Sequence, residues 1–190
     1  MDAAADALLG TVLLTDAAGT LGQVLAPPLQ AACQRLIRSD LAGPLAKIAA
    51  LAGTTAQACD LADASAVHHL LPGVDAVVHL GGVAMDGAFE PVLQADIRGL
   101  HKLYEAARRQ GTRRIVFASS NHVTGCYGVQ DRVAPTDPAR PDGQYGLSKL
   151  FGEGLASLYF DRYGIQTVSL RIGTATATPP LFHLPRRLLQ

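Results

Sequence analysis

Short apolar runs alternate with longer segments of helical periodicity along nearly the whole chain, and this alternation restricts the fold more than any other feature. Runs at 11–15, 35–39, 54–58, 76–80, 114–119 and 167–172 are β-branched or leucine-rich and read as strands. Helical patterns cover 20–32, 64–71, 91–110 and 145–163. In the 91–110 helix Leu93, Ile97, Leu100, Leu103 and Tyr104 share one side, and Gly111 is placed to stop it. Strands that are apolar almost throughout must be covered on both faces. The pattern therefore predicts an α/β fold, a doubly wound parallel sheet with helices on both faces. A stretch rich in Pro, Asp and Gly, 125–143, is expected as a loop.

Composition agrees and excludes some functions. The 190 residues, 48% hydrophobic and 17% charged, suit a single domain with a substantial core, spanning 1–190. Zero formal net charge gives no basic surplus for nucleic acid and no acidic tail. Cys33, Cys59 and Cys126 are odd in number and far apart, which argues against a disulfide framework or a zinc site and for reduced thiols. Asp2 and Asp6 stand where a secretory leader carries bases, and no apolar run reaches membrane-spanning length. A cytoplasmic protein that engages neither membrane nor metal is expected.

Thr15 to Gly22 falls where the first strand meets the first helix. In a Rossmann-like sheet this turn brings backbone N–H groups and a helix N-terminus under a pyrophosphate, which selects Ala17, Gly19, Thr20, Leu21 and Gly22 as a dinucleotide cradle. The bland alternative is an ordinary strand–helix turn. Asp16 stands where the first glycine of such a turn is expected, and its carboxylate would repel a phosphate by about 3 kcal/mol at ~5 Å in an effective dielectric near 20. Asp40, ending the second strand, is suited to accept from ribose hydroxyls and to disfavour a 2′-phosphate, hence NAD over NADP; its other reading is a cap. Asp60 and Leu61 would flank the adenine. Leu80, Gly81 and Gly82 would let a dinucleotide lie against the sheet edge, while His79 reads as a packed core histidine.

At the other end Tyr145 and Lys149 stand four residues apart and so on one helix face. The ammonium is expected to draw the phenol pKa below its usual value near 10 and make a tunable acid/base. Ser120, at a strand end, would hold a substrate oxygen beside it.

Taken in order, the glycine-rich turn, Asp40, Asp60-Leu61, His79-Leu80-Gly81-Gly82, Ser119-Ser120 and Tyr145-x-x-x-Lys149 resemble the extended short-chain dehydrogenase/reductase superfamily, also called the NAD-dependent epimerases/dehydratases. The segments 117–125 and 140–146 are most similar to NAD-dependent uronate dehydrogenases. That resemblance implies oxidation of the C1 hydroxyl of galacturonate or glucuronate to an aldarolactone. Tyr145 would be the base, Ser120 would align the hydroxyl, and Lys149 would tune Tyr145 and bind the nicotinamide ribose. It also implies that Asn121 and His122 bind sugar hydroxyls, that Thr174 touches substrate, and that Arg186 or Arg187 receives its carboxylate. Substrate-binding segments would lie at about 120–145 and 173–190. Homodimers or higher homo-oligomers would form through the helices at 91–110 and 145–163.

The chain departs from the pattern at Asp16, at Ala84 in place of a substrate-touching serine, and at Asp96 in place of a supporting asparagine. It also stops at Gln190, short of the family's usual length. Two alternatives stay open: a sugar-nucleotide epimerase or dehydratase, and a truncated, non-catalytic dinucleotide-binding relative.

Overall fold

The computed structural model describes residues 9–83, 88–173 and 175. Among them, β1 (Leu9–Thr15), β2 (Cys33–Asp40), β3 (Thr54–Ala58), β4 (Ala76–His79), β5 (Arg114–Ser120) and β6 (Gln166–Ile172) form one sheet. Its order is β3-β2-β1-β4-β5-β6, with every pairing parallel. The helices are α1 (Thr20–Ala32), α2 (Ala42–Leu45), α3 (Ala64–Leu70), α4 (Phe89–Val92), α5 (Leu100–Gln110) and α6 (Gln144–Tyr163). The predicted doubly wound architecture is the one observed.

Strand alternation divides the core between two faces. Leu13, Ile37, Val77, Ile115 and Phe117 point to one side, where Leu103 and Tyr104 of α5 and Leu155 of α6 cover them. Val12, Leu14 and Leu36 point to the other, against Ala26 of α1. Local signals set the helix ends. Asp63 caps α3 by accepting from the Ser65 and Ala66 N–H groups, and Gly111 and Gly164 end α5 and α6 at φ 81° and 70°.

Among the described residues, the edge strand β6 is held from one side only. Thr167 meets the Tyr104 hydroxyl at 3.1 Å, and Arg171 pairs with Glu153 of α6 at 2.8 Å. Val168 and Leu170, which alternate with these residues, are 58% and 46% exposed.

One expected element differs in kind. The helix anticipated over 91–110 begins earlier, at Phe89, and passes through a π-helical stretch, Leu93–Gly99, before α5. Its wider turn changes which residues face inward. Asp96 is buried there, whereas Leu93 and Ile97 are only half-buried. The short α2 and a 3₁₀ turn at Asn121–Thr124 were not anticipated, since four-residue helices carry no readable period.

Candidate active site

The C-terminal ends of β1 to β4 open onto a cavity of about 400 Å³ lined by Asp16, Asp40, Asp60, Leu61, Gly81 and Gly82, among others. It lies where the order reverses on either side of β1, the position at which open α/β sheets bind ligands. Asp40 is fixed by accepting from the Ala18 N–H (2.9 Å) and the Leu41 N–H (2.7 Å), so one carboxylate ties the turn after β1 to the end of β2. Helix α1 starts after Gly19 with no capping side chain. Its first-turn N–H groups, at Thr20, Leu21 and Gly22, are therefore the kind of donors an anion takes.

The glycines keep backbone close to backbone. A Cβ at Gly22 would meet the Asp16 carbonyl oxygen and lie 2.7 Å from Ala17 Cα. A Cβ at Gly82 would lie 2.6 Å from Asp96 Oδ1 and 3.4 Å from Lys149 Nζ. A cavity of this size, a cradle that side chains would fill, and an acid at the end of β2 together fit a dinucleotide. Ala17 has a different part from the one expected. Its side chain is fully buried and its N–H is given to the Ser39 carbonyl, so it builds the turn from beneath.

A three-way junction under this cavity was not foreseen. The Thr15 hydroxyl oxygen accepts from the Leu80 N–H (3.1 Å) and the Gly81 N–H (3.2 Å). Its own hydrogen must then go to His79 Nδ1 at 2.8 Å. Nδ1 is thereby an acceptor, which fixes the neutral Nε2–H tautomer. Burial, reinforced by the Lys149 charge, pushes the His79 pKa down to about 3. The histidine is a core residue, as read from sequence, and it pins the ends of β1 and β4 together.

At the other end β5 delivers Ser119 and Ser120, both buried, and α6 delivers Tyr145 and Lys149. The Ser120 hydroxyl bonds the Tyr145 side chain. Lys149 Nζ lies 5.5 Å from the centre of the Tyr145 ring and 5.3 Å from that of Phe117. The sequence thus brings together the three residues expected to react. The electrostatics differ from the expectation that Lys149 lowers the Tyr145 pKa. Burial raises it above the usual phenol value, the Ser120 hydrogen bond opposes this, and Asp96 adds to the rise. Lys149 is only 4% exposed, and burial lowers its own pKa against the opposing pull of Asp96 and Asp16.

Asp96 occupies the heart of this arrangement. Its Oδ1 accepts from the Val83 N–H (2.7 Å) and its Oδ2 from the Ser148 hydroxyl (2.8 Å). Asn121 and His122 open the 3₁₀ turn beyond Ser120 and are exposed. The Asp142 carboxylate holds His122 Nδ1 at 2.9 Å, and the imidazole stands edge-on to the Tyr145 ring at 5.5 Å. Sequence reading missed Asp142 because only the folded loop returns it to His122. Glu153 was missed too: it accepts from Ser119 (2.6 Å) and takes both arms of Arg171. Burial is the largest influence on Glu153 and raises its pKa, but these hydrogen bonds together hold it below its ordinary value. Ala84, Thr174, Arg186 and Arg187 lie outside the described residues. Among the described residues no group of three His, Cys, Asp or Glu is placed to hold a metal ion, and no helix is long and apolar enough to cross a membrane.

Comparison with known proteins places this geometry in context. The profile of the NAD dependent epimerase/dehydratase family matches residues 12–179. The chain is 50% identical over 170 residues to the uronate dehydrogenase of Pseudomonas syringae pv. tomato, covering 88% of this chain and 60% of that one. It superposes on the crystal structure of uronate dehydrogenase from Agrobacterium tumefaciens with a TM-score of 0.85 at 47% identity, over 90% of this chain and 63% of the other. A mutant of that enzyme complexed with NAD matches equally, with a TM-score of 0.85 at 45% identity over 92% and 64%. The chain therefore spans about three fifths of the length of these relatives.

Proposed function

The chain belongs to the NAD dependent epimerase/dehydratase family, and from that premise we propose that it is an NAD-dependent dehydrogenase that oxidises the C1 hydroxyl of a hexuronate to an aldarolactone. One observation carries this reading: Ser120 bonds the Tyr145 phenol, with Lys149 beneath it, beside a cavity that fits a dinucleotide. Galacturonate or glucuronate as substrate follows from the similarity to uronate dehydrogenases.

Ser120 holds the C1 oxygen and Tyr145 removes its proton, a positioned transfer worth about 10²–10⁴-fold. The cofactor, when bound, accepts the hydride. The Ser120 hydrogen bond favours the phenolate, and Lys149, 5.5 Å from the centre of the Tyr145 ring, binds the nicotinamide ribose. Asp142 orients His122 so that Nε2 is left for a sugar hydroxyl, and Asn121 takes another. Asp40 accepts from the adenosine ribose hydroxyls, and Asp60 and Leu61 flank the adenine. The high Tyr145 pKa leaves little of the base form at neutral pH.

The active species is proposed to be a homodimer. Leu147, Phe151 and Leu158 make an exposed apolar stripe on α6, at 56%, 36% and 46% exposure, suited to a second copy.

Turnover of galacturonate and glucuronate with NAD tests the reading, with Tyr145→Phe as the control. The variant is expected to lose turnover and keep its affinity for NADH. Unchanged turnover in the variant refutes the mechanism, and NADH binding without turnover by the unaltered chain supports a non-catalytic relative instead.

A further inference from the structure

Asp16 is the one non-glycine residue with positive φ among those described, at 53°. A left-handed L-residue is strained, though aspartate and asparagine tolerate it best. This backbone folds the carboxylate over the turn itself. A Cβ at Gly19 would lie 2.9 Å from Asp16 Oδ1 and 2.8 Å from Cγ. The acid thus sits at the uncapped start of the thirteen-residue α1 and lines the same cavity as Asp40 and Asp60. An anion drawn to the first-turn N–H groups arrives beside it.

Charged groups meet Asp16 from several elements. Asp40 at the end of β2 repels it, Lys149 of α6 attracts it, and Asp60 beyond β3 shares the cavity. Asp96 of the π-helical stretch faces the same lysine across Gly82, and His79 of β4 is neutral. One cation is therefore shared by two carboxylates, Asp16 and Asp96, and a bound pyrophosphate would add further negative charge with no new cation from the residues that line the cavity.

We propose that Asp16 is a cofactor-binding residue that acts in its protonated form, so that the dinucleotide is taken up together with one proton from solvent. The carboxyl O–H then donates to a phosphate oxygen where a carboxylate would repel it. Burial, with Asp40 adding and Lys149 opposing, already pushes the Asp16 pKa up to about 6. A further anion at ~5 Å in an effective dielectric near 20 raises proton affinity by about two powers of ten. A residue that looks like a defect in the glycine turn thereby becomes a proton-linked contact. The inference rests on the dinucleotide reading of this turn.

NADH titrated by fluorescence anisotropy at constant ionic strength, from about pH 6 to about pH 9, tests it on the unaltered chain and on Asp16→Asn. Asparagine keeps the left-handed backbone and a hydrogen-bond donor but cannot titrate. In the unaltered chain Kd is expected to rise with pH by up to about tenfold per unit above about pH 6. Asp16→Asn is expected to be flat and at least about tenfold tighter at pH 8. Calorimetry in buffers of different ionisation heat is expected to find uptake approaching one proton per NADH at about pH 7 in the unaltered chain and none in the variant. Binding that is flat in the unaltered chain, or equally steep in Asp16→Asn, overturns the proposal and leaves the dinucleotide site standing. No binding by either protein overturns both.

Discussion

Acidification should unfold this protein earlier than its carboxylates alone require, and His79 sets the amount. The folded chain holds His79 neutral, with Thr15 donating to Nδ1 and a pKa near 3, while the unfolded chain leaves it near 6.5. Between those values the unfolded state binds more protons. The His79 contribution is therefore complete above about pH 6.5 and is lost progressively as pH falls toward 3. At about pH 5 the loss is about 2 kcal/mol, and below pH 3 it approaches ~5 kcal/mol as an upper bound. Asp16 works in the other direction, because a carboxyl pushed up to about 6 favours the folded state when protonated. After discounting for its partial exposure, that returns less than about 1 kcal/mol at pH 5. Glu105, held at about 2 chiefly by its Arg108 hydrogen bond, loses its contribution as pH falls from about 4.5 through about 2, which leaves the window above pH 5 nearly clear. Urea unfolding of the unaltered chain should thus lose somewhat more than 1 kcal/mol between about pH 8 and pH 5, and Asp16→Asn should lose nearly 2. Long-range ¹⁵N–¹H spectra should find the Nε2–H tautomer persisting through pH 5. A flat stability profile in Asp16→Asn, or a His79 ring that titrates near 6.5 in the folded protein, would refute the reasoning.

Asp96→Asn should be neutral or stabilising by about 1 kcal/mol, because Ser148 has one hydrogen for two acceptors, Asp96 Oδ2 and the Tyr145 carbonyl, both at 2.8 Å. An asparagine amide donates to Ser148 and frees that hydrogen, and losing the charge should move the alkaline limb of activity to lower pH; an unmoved limb contradicts this. With the Tyr145 pKa raised by burial, kcat/KM for uronate oxidation should climb by about tenfold per unit from pH 7 to pH 9, and a flat profile argues against Tyr145 as base. Gly146→Ala would press a Cβ against the His122 carbonyl, with the His122 carbonyl carbon 2.9 Å away. Backbone cannot yield cheaply, so a cost of about 1–3 kcal/mol in Tm measurements and a turnover loss of about tenfold or more are expected; an unaffected variant would show that α6 has room to move.

The sheet was legible because it rests on period and punctuation. Val12 to Leu14, Leu36 to Ile37 and Val77 are apolar without interruption, and Gly111 ends its helix as a left-handed cap should. The clustering of the three residues proposed to react was legible as well, since Tyr145 and Lys149 lie one helical turn apart and Ser120 closes a strand. What escaped was set by tertiary packing. Nothing local marks 93–99 as π-helical, and that widening is what buries Asp96 beside Ser148 and Lys149. The sign of the Tyr145 shift also depended on depth: the spacing to Lys149 was readable, whereas the burial that raises the phenol pKa was not. Asp142 and Glu153 reach His122 and Arg171 across the fold, beyond any sequence window.

The central claim is that Tyr145, held by Ser120 over Lys149, removes a proton from a uronate beside a bound dinucleotide. Parallel measurements of NADH affinity and of galacturonate turnover, on the unaltered chain and on Tyr145→Phe, test it most directly. The account predicts that both proteins bind NADH alike and that only the unaltered chain reduces NAD. Equal turnover by the two, or a variant that loses cofactor and activity together, would contradict it.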